Sequence, residues 1–163
     1  VSKLVKIHNL ALADKPGEIG FESGKDAISH INVASNNIVK CTSLDFFCHN
    51  NNVFPSIVKV DVEGFESLVF EGFLETLNSF SKPEVMLIEL RGHGNKYGYD
   101  EKQLFNNLLH LGYTALTINF NPDTSSKIVT TYSKGDFFFV RNVTNFMSRL
   151  KSRDEDFKDL FES

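Results

Sequence analysis

Two apolar runs organise the chain. Ile57-Val58-Lys59-Val60-Asp61-Val62 and Glu84-Val85-Met86-Leu87-Ile88-Glu89-Leu90 are nearly continuous, as in strands buried on both faces of a sheet. Between them Phe65, Leu68, Val69, Gly72, Phe73, Leu77 and Phe80 recur at helical spacing. This predicts one helix from Glu63-Gly64-Phe65-Glu66 to the stop at Lys82-Pro83. After the second run, a glycine-punctuated loop spans Arg91 to Tyr99. Asp100 and Gln103 then make a capping-box pair for a helix carrying Leu104, Leu108 and Leu111, with Gly112 as its stop.

The flanks are less regular. Lys3 to Ala13 alternates around Leu4, Val5, Ile7 and Leu10, which predicts a strand closed by the turn Asp14-Lys15-Pro16-Gly17. Glu18 to Ser43 is polar and Ser/Asn-rich with two short extended runs, an excursion containing a hairpin. Thr42 and Ser43 offer a cap to a helix carrying Leu44, Phe46 and Phe47. Thr114–Phe120, Lys127–Tyr132 and Asp136–Arg141 read as strands separated by turn residues, and a terminal helix runs from Asn145 to Ser163. Alternating strands and helices followed by a strand pair predict an α/β domain with a mostly parallel sheet and an antiparallel edge. The expected division is a domain over residues 1–145 and a C-terminal helix or tail over residues 146–163.

Length and composition narrow the function. At 163 residues and 41% hydrophobic the chain is one domain with material for a core. Seventeen basic against 21 acidic residues give a net charge of −4, which argues against a general nucleic-acid binder. No apolar run approaches the ~20 residues that cross a bilayer. Cys41 and Cys48 read as buried reduced thiols, so a reducing, cytoplasmic setting is expected. The chain opens on Val1 without a leader-like segment, and is expected to be a piece of a longer one.

The chemistry concentrates at two strand ends. Asp61 closes one apolar strand, with Glu63 and Glu66 just beyond it; Glu89 occupies the matching place on the next, followed by Arg91 and His93. In open α/β sheets ligands bind outside the carboxyl ends of strands, so these groups are candidates for general-base work or for gripping a cationic or hydroxylic ligand. Against this stand a helix-dipole role for Glu63 and Glu66, and an internal ion pair of Glu89 with Arg91 or Lys59. Clustered carboxylates also suit Mg²⁺, although no spacing here demands a metal. Gly92-His93-Gly94-Asn95-Lys96-Tyr97-Gly98 departs from the dinucleotide fingerprint and reads better as a flexible active-site loop than as a phosphate cradle.

In order, these segments resemble the FkbM-type family of S-adenosylmethionine-dependent methyltransferases. His8-Asn9-Leu10-Ala11-Leu12-Ala13-Asp14-Lys15-Pro16-Gly17 looks like the family's N-x-A-L-x-D-x-x-G stretch, and Thr42-Ser43-Leu44-Asp45 like its T-L-D. Lys59-Val60-Asp61-Val62-Glu63-Gly64-Phe65-Glu66 is similar to the specific K-I-D-V-E-G-x-E signature, and Lys82 to Glu89 and Leu108 to Tyr113 continue the likeness over roughly residues 5 to 141. The resemblance implies a class I methyltransferase-like (Rossmann-like) fold, incomplete at its N-terminal side, that moves a methyl group to a hydroxyl of a sugar or small metabolite. By the same likeness Asn9, Ala11 and Leu12 lie by the adenine or ribose, Asp61 near the sulfonium, and Glu63, Glu89 and His93 around the acceptor. The family's glycine-rich cofactor loop would lie upstream of Val1, so the 163 residues alone are expected to bind S-adenosylmethionine weakly or not at all. The sheet edge this leaves open predicts that the chain is aggregation-prone or a homodimer. The rival reading is a non-catalytic α/β module that binds a ligand or partner through the same cleft.

Overall fold

The computed structural model describes residues 4–22, 30–31, 36–119 and 125–150. The chain forms β1 (Ala11–Leu12), β2 (Gly17–Glu22), β3 (His30–Ile31), β4 (Ile38–Thr42), α1 (Leu44–Asn51), β5 (Ile57–Val60), α2 (Glu66–Glu71), α3 (Leu74–Leu77), β6 (Val85–Leu90), α4 (Glu101–His110), β7 (Thr114–Asn119), β8 (Ser125–Val129) and β9 (Gly135–Val140). A further helix is described over residues 143–150. The strands make two sheets, ordered β1-β4-β2-β3 and β5-β6-β9-β7-β8.

The larger sheet carries the core on one face. Met86, Ile88 and Leu90 of β6 alternate inward with Val60 of β5 and Phe137 and Phe139 of β9, and Val69, Phe70, Leu104, Phe105 and Leu108 of α2 and α4 pack over them. Phe105 meets Phe137 and Phe139 edge-on at 5.2 and 5.4 Å, contacts worth about 0.5–1.5 kcal/mol each beyond the area they bury. The intervening residues Lys59, Leu87, Glu89 and Phe138 face the other way, where the Phe146 ring lies tilted against Phe138 at 5.8 Å.

The two apolar runs pair as their sequences predict: β5 and β6 are parallel, with Ile57 opposite Val85 and Val60 opposite Ile88. The rest of the sheet differs from the expected mostly parallel arrangement. β9 inserts between β6 and β7 and runs antiparallel to both, and β8 pairs antiparallel with β7 at the edge. The physical reason is the burial of Phe137, Phe139 and Val140, which qualifies β9 for the middle of the sheet rather than its rim.

Other local departures have equally local causes. The helix expected from Glu63 to the stop at Lys82-Pro83 starts only at Glu66 and breaks at Gly72, where a side chain would strike the Ala13 carbonyl oxygen and the Ser43 Cβ at 2.3 and 2.8 Å. Phe80 is fully exposed beyond the break. The predicted first strand shrinks to Ala11–Leu12, paired in parallel with β4, while Leu4, Val5 and Ile7 are exposed. The hairpin expected in the polar excursion exists as β2 against β3 and β4. Both caps hold: Ser43 Oγ accepts from the Phe46 amide at 3.2 Å, and Asp100 Oδ1 from those of Lys102 and Gln103 at 2.9 and 3.2 Å. Cys41 and Cys48 are free and buried, and burial raises both thiols above their ordinary pKa. The terminal helix beyond residue 150 lies outside the described residues.

Candidate functional site

The loop after β5 turns sharply. Glu63 has φ 54° and Gly64 φ 107°, both in the left-handed region, so the chain reverses within two residues. Gly64 is required twice over, because a Cβ there would also lie 2.8 Å from the carbonyl of His93. The turn is held from below by Glu66, only 2% exposed, whose Oε1 accepts the amides of Val62 and Gly64 at 3.2 and 3.3 Å. Burial raises the Glu66 pKa, and these backbone donors oppose the rise.

The loop after β6 is built on the same plan. Gly92 has φ 87°, and residues Gly94–Tyr97 form a 3₁₀ turn ended by Gly98 at φ 81°. Glu101, 3% exposed at the start of α4, accepts the Gly92 amide through Oε2 and the Gly94 amide through Oε1, both at 2.7 Å, and the Tyr132 hydroxyl through Oε2 at 2.9 Å. These short charge-assisted bonds correct two expectations. The loop is pinned rather than loose, and the amides a phosphate would need already serve Glu101. The two loops meet where His93 Nδ1 lies 3.0 Å from Glu63 Oε2, beside Phe65 and Tyr97 stacked at 4.1 Å.

Charge gathers at the mouth between the loops. Asp61, Glu63 and Glu89 each offer an oxygen within 4.8 Å of the others, a spacing a divalent cation could bridge. Lys59 Nζ pairs with Asp61 Oδ2 at 2.8 Å, and Arg91 pairs with Glu89 and, through its Nη2, with Asp136 Oδ2 at 2.8 Å. Hydrogen bonding to Asp61, then burial and the Asp61 charge, push the Glu89 pKa up to about 7 despite Arg91. Asp61 moves the other way, held low by its bonds to Lys59 and Glu89. The pair is thus coupled, the hydrogen bonding and charge of Asp61 opposing ionisation of Glu89. Behind it opens a cleft of about 450 Å³ on the outer face of the sheet, lined by Leu87, Thr117, Ile118 and Phe138 as well as the charged groups. A groove of about 430 Å³ between α2–α3 and α4 is comparable in size, but the Asp61, Glu63 and Glu89 cluster lies outside its lining.

The structure brings together Asp61, Glu63, Glu89 and His93 from the sequence-predicted set. It does not bring Asn9, Ala11 or Leu12 to this cleft, since Ala11 and Leu12 lie in β1 of the other sheet and Asn9 just before it. Glu63 precedes the helix instead of occupying its first turn, so the expected dipole effect on it does not operate. The expected Glu89–Arg91 ion pair forms, while Lys59 goes to Asp61. Glu101, Tyr132 and Asp136 were not legible as site groups. Glu101 shows in the sequence only as an acid after a helix cap, and the other two arrive from β8–β9 through long-range pairing.

A parallel strand pair with acids at its carboxyl end lies beside a cleft large enough for a metabolite, in a mixed α/β domain. Residues 5–115 match the Methyltransferase FkbM domain, and the chain belongs to that methyltransferase family. The match takes in Asp61, Glu63, Glu89 and His93 and ends within β7. No curated protein and no solved structure matches the chain.

Proposed function

We propose that the chain serves an S-adenosylmethionine-dependent O-methyltransferase acting on a hydroxyl of a sugar or small metabolite. The observation that carries this reading is Glu89, a carboxyl with a pKa of about 7 held against Asp61 at a cleft inside an FkbM methyltransferase domain. The strand run β5-β6-β9-β7, with β9 reversed among three strands of common direction, supports a class I methyltransferase-like sheet.

The residues fit the cofactor's chemistry. Asp61 is an ionised acid at the cleft mouth, and Leu87, Ile118 and Phe138 give apolar wall. When bound there, S-adenosylmethionine supplies a methyl group on a cationic sulfur, which Asp61 would face with opposite charge. Glu89 takes the acceptor's hydroxyl proton, its pKa lying near the working pH, where a general base is most effective. Arg91, tied to both Glu89 and Asp136, fixes the direction of the Glu89 carboxyl. Glu63 and His93, in contact beside the cleft mouth, orient the acceptor.

The test is transfer of labelled methyl from S-adenosylmethionine to a panel of sugars, hydroxylated metabolites and amines, with the position of the label read by mass spectrometry. Label on oxygen that falls sharply in Glu89→Gln supports the reading. Label only on nitrogen, or undiminished transfer in that variant, overturns it.

A further inference from the structure

The two buried glutamates repeat one device. Glu66 binds the amides of Val62 and Gly64, the residues on either side of Glu63. Glu101 binds the amides of Gly92 and Gly94, the residues on either side of His93. In each loop a side chain from the following helix reaches back to the backbone that carries one partner of the Glu63–His93 contact beside the cleft mouth. Glu63 and His93, so flanked, face one another at 3.0 Å. The turn needs such support, because Glu63 is a non-glycine residue at φ 54° and that conformation persists only where its surroundings enforce it. Gly92 at φ 87° followed by His93 at φ −72° likewise turns the amides of residues 92 and 94 towards one point, and the Glu101 carboxylate occupies it.

We infer that Glu66 and Glu101 are a matched pair of positioning residues that hold Glu63 and His93 in contact beside the mouth of the cleft. The inference rests on the reading of this cleft as the acceptor site, and it adds how the site is kept in shape. A carboxylate oxygen accepts rather than donates, so the 3.0 Å contact with Glu63 Oε2 favours a proton on His93 Nδ1 and, in the neutral ring, leaves Nε2 as the acceptor nitrogen. If the stakes hold that contact, pulling either one changes the ring's tautomer even though neither glutamate touches the ring. Tyr132, whose hydroxyl also binds Glu101, ties the same stake to the segment between β8 and β9.

The experiment is long-range proton–nitrogen NMR of the His93 ring with amide hydrogen exchange, in the protein without cofactor or acceptor. Glu101→Gln puts an NH₂ opposite a backbone N–H, because both Glu101 oxygens accept amides, whereas Glu66→Leu removes the single oxygen that accepts both Val62 and Gly64. The expected result is a shift of neutral His93 from the Nδ1–H form towards the Nε2–H-rich mixture of free imidazole. Amide exchange at Gly92 and Gly94 in Glu101→Gln should accelerate about tenfold or more. Tyr132→Phe removes one bond of three and should give a smaller acceleration, which keeps the test readable if the Gln variant unfolds. Leu108→Ala, a core truncation away from both loops, controls for general loosening and should leave the ring unchanged. An unaltered tautomer in both Glu66→Leu and Glu101→Gln, or an equal change in Leu108→Ala, overturns the proposal. Because nothing is methylated in this measurement, its failure is distinct from failure of the transfer assay.

Discussion

Replacing Asp61 by asparagine should return Glu89 to an ordinary carboxyl. The Glu89 pKa rises from 4.5 to about 7, and Asp61 supplies the first and third largest causes, as hydrogen-bond partner and as charge. The Asp61→Asn variant would leave burial and Asp136 acting upward against Arg91 acting downward, so the midpoint should fall to within about one unit of 4.5. A shift of this size corresponds at most to about 3 kcal/mol. The Glu89 side chain is 22% exposed, and solvent screening reduces the effect to about 1–2 kcal/mol. The sign follows from proton binding. A group whose pKa is higher in the folded state favours folding fully below pH 4.5 and loses that contribution as pH rises to about 7. The native protein should therefore lose about 1–2 kcal/mol across this window, and Asp61→Asn should show a flatter profile there. Carbon-13 titration of the Glu89 carboxyl from about pH 3 to 9, with denaturant melts at about pH 4.5 and 7, measures both. A native midpoint below about pH 5.5, or one unmoved by Asp61→Asn, would refute the reasoning.

Four further outcomes are expected. Glu89→Gln should reduce methyl transfer by roughly 10²–10⁴-fold and more than Glu63→Gln does, with cofactor affinity little changed, in turnover assays at saturating cofactor. Gly72→Ala should cost about 1–3 kcal/mol in thermal melts, because the added methyl meets the Ala13 carbonyl at 2.3 Å and backbone must move. Asp45 receives the amides of Glu75 and Thr76 at 2.8 and 2.9 Å, so Asp45→Ala should cost about 1–2 kcal/mol and speed exchange at those two amides. β5 is an edge strand with Ile57 exposed, so sedimentation should show concentration-dependent association that Ile57→Lys suppresses.

The parts of the fold governed by local pattern were legible. The runs at Ile57 and Val85 announced two strands, and the helix between them made parallel pairing the default, which set Asp61 beside Glu89. The proximity of His93 was legible only as membership of the next loop. What escaped was set by groups far apart in sequence. A Phe-rich strand does not name its neighbours, so the place of β9 could not be read from Phe137, Phe138 and Phe139. Helical spacing from Phe65 to Phe80 could not reveal that Gly72 is pressed against the Ala13 carbonyl, a tertiary contact that overrides propensity. Glu66 and Glu101 escaped for a different reason: an acid in a first helical turn ordinarily faces water and the helix dipole, and only burial shows that these two turn back.

The insertion of β9 also sets when the site can exist. Val85 pairs with Val140 and Leu90 with Gly135, so the centre of the larger sheet closes only after nearly all of the described chain has left the ribosome. Until then β6 has β5 on one side and open backbone on the other, and Phe138 and Asp136, which line the cleft, have not arrived. A sheet whose middle ladder has such high contact order should fold slowly, with the cleft as its last product. Chains stopped before Gly135 would carry Asp61, Glu63, Glu89 and His93 with no floor beneath them.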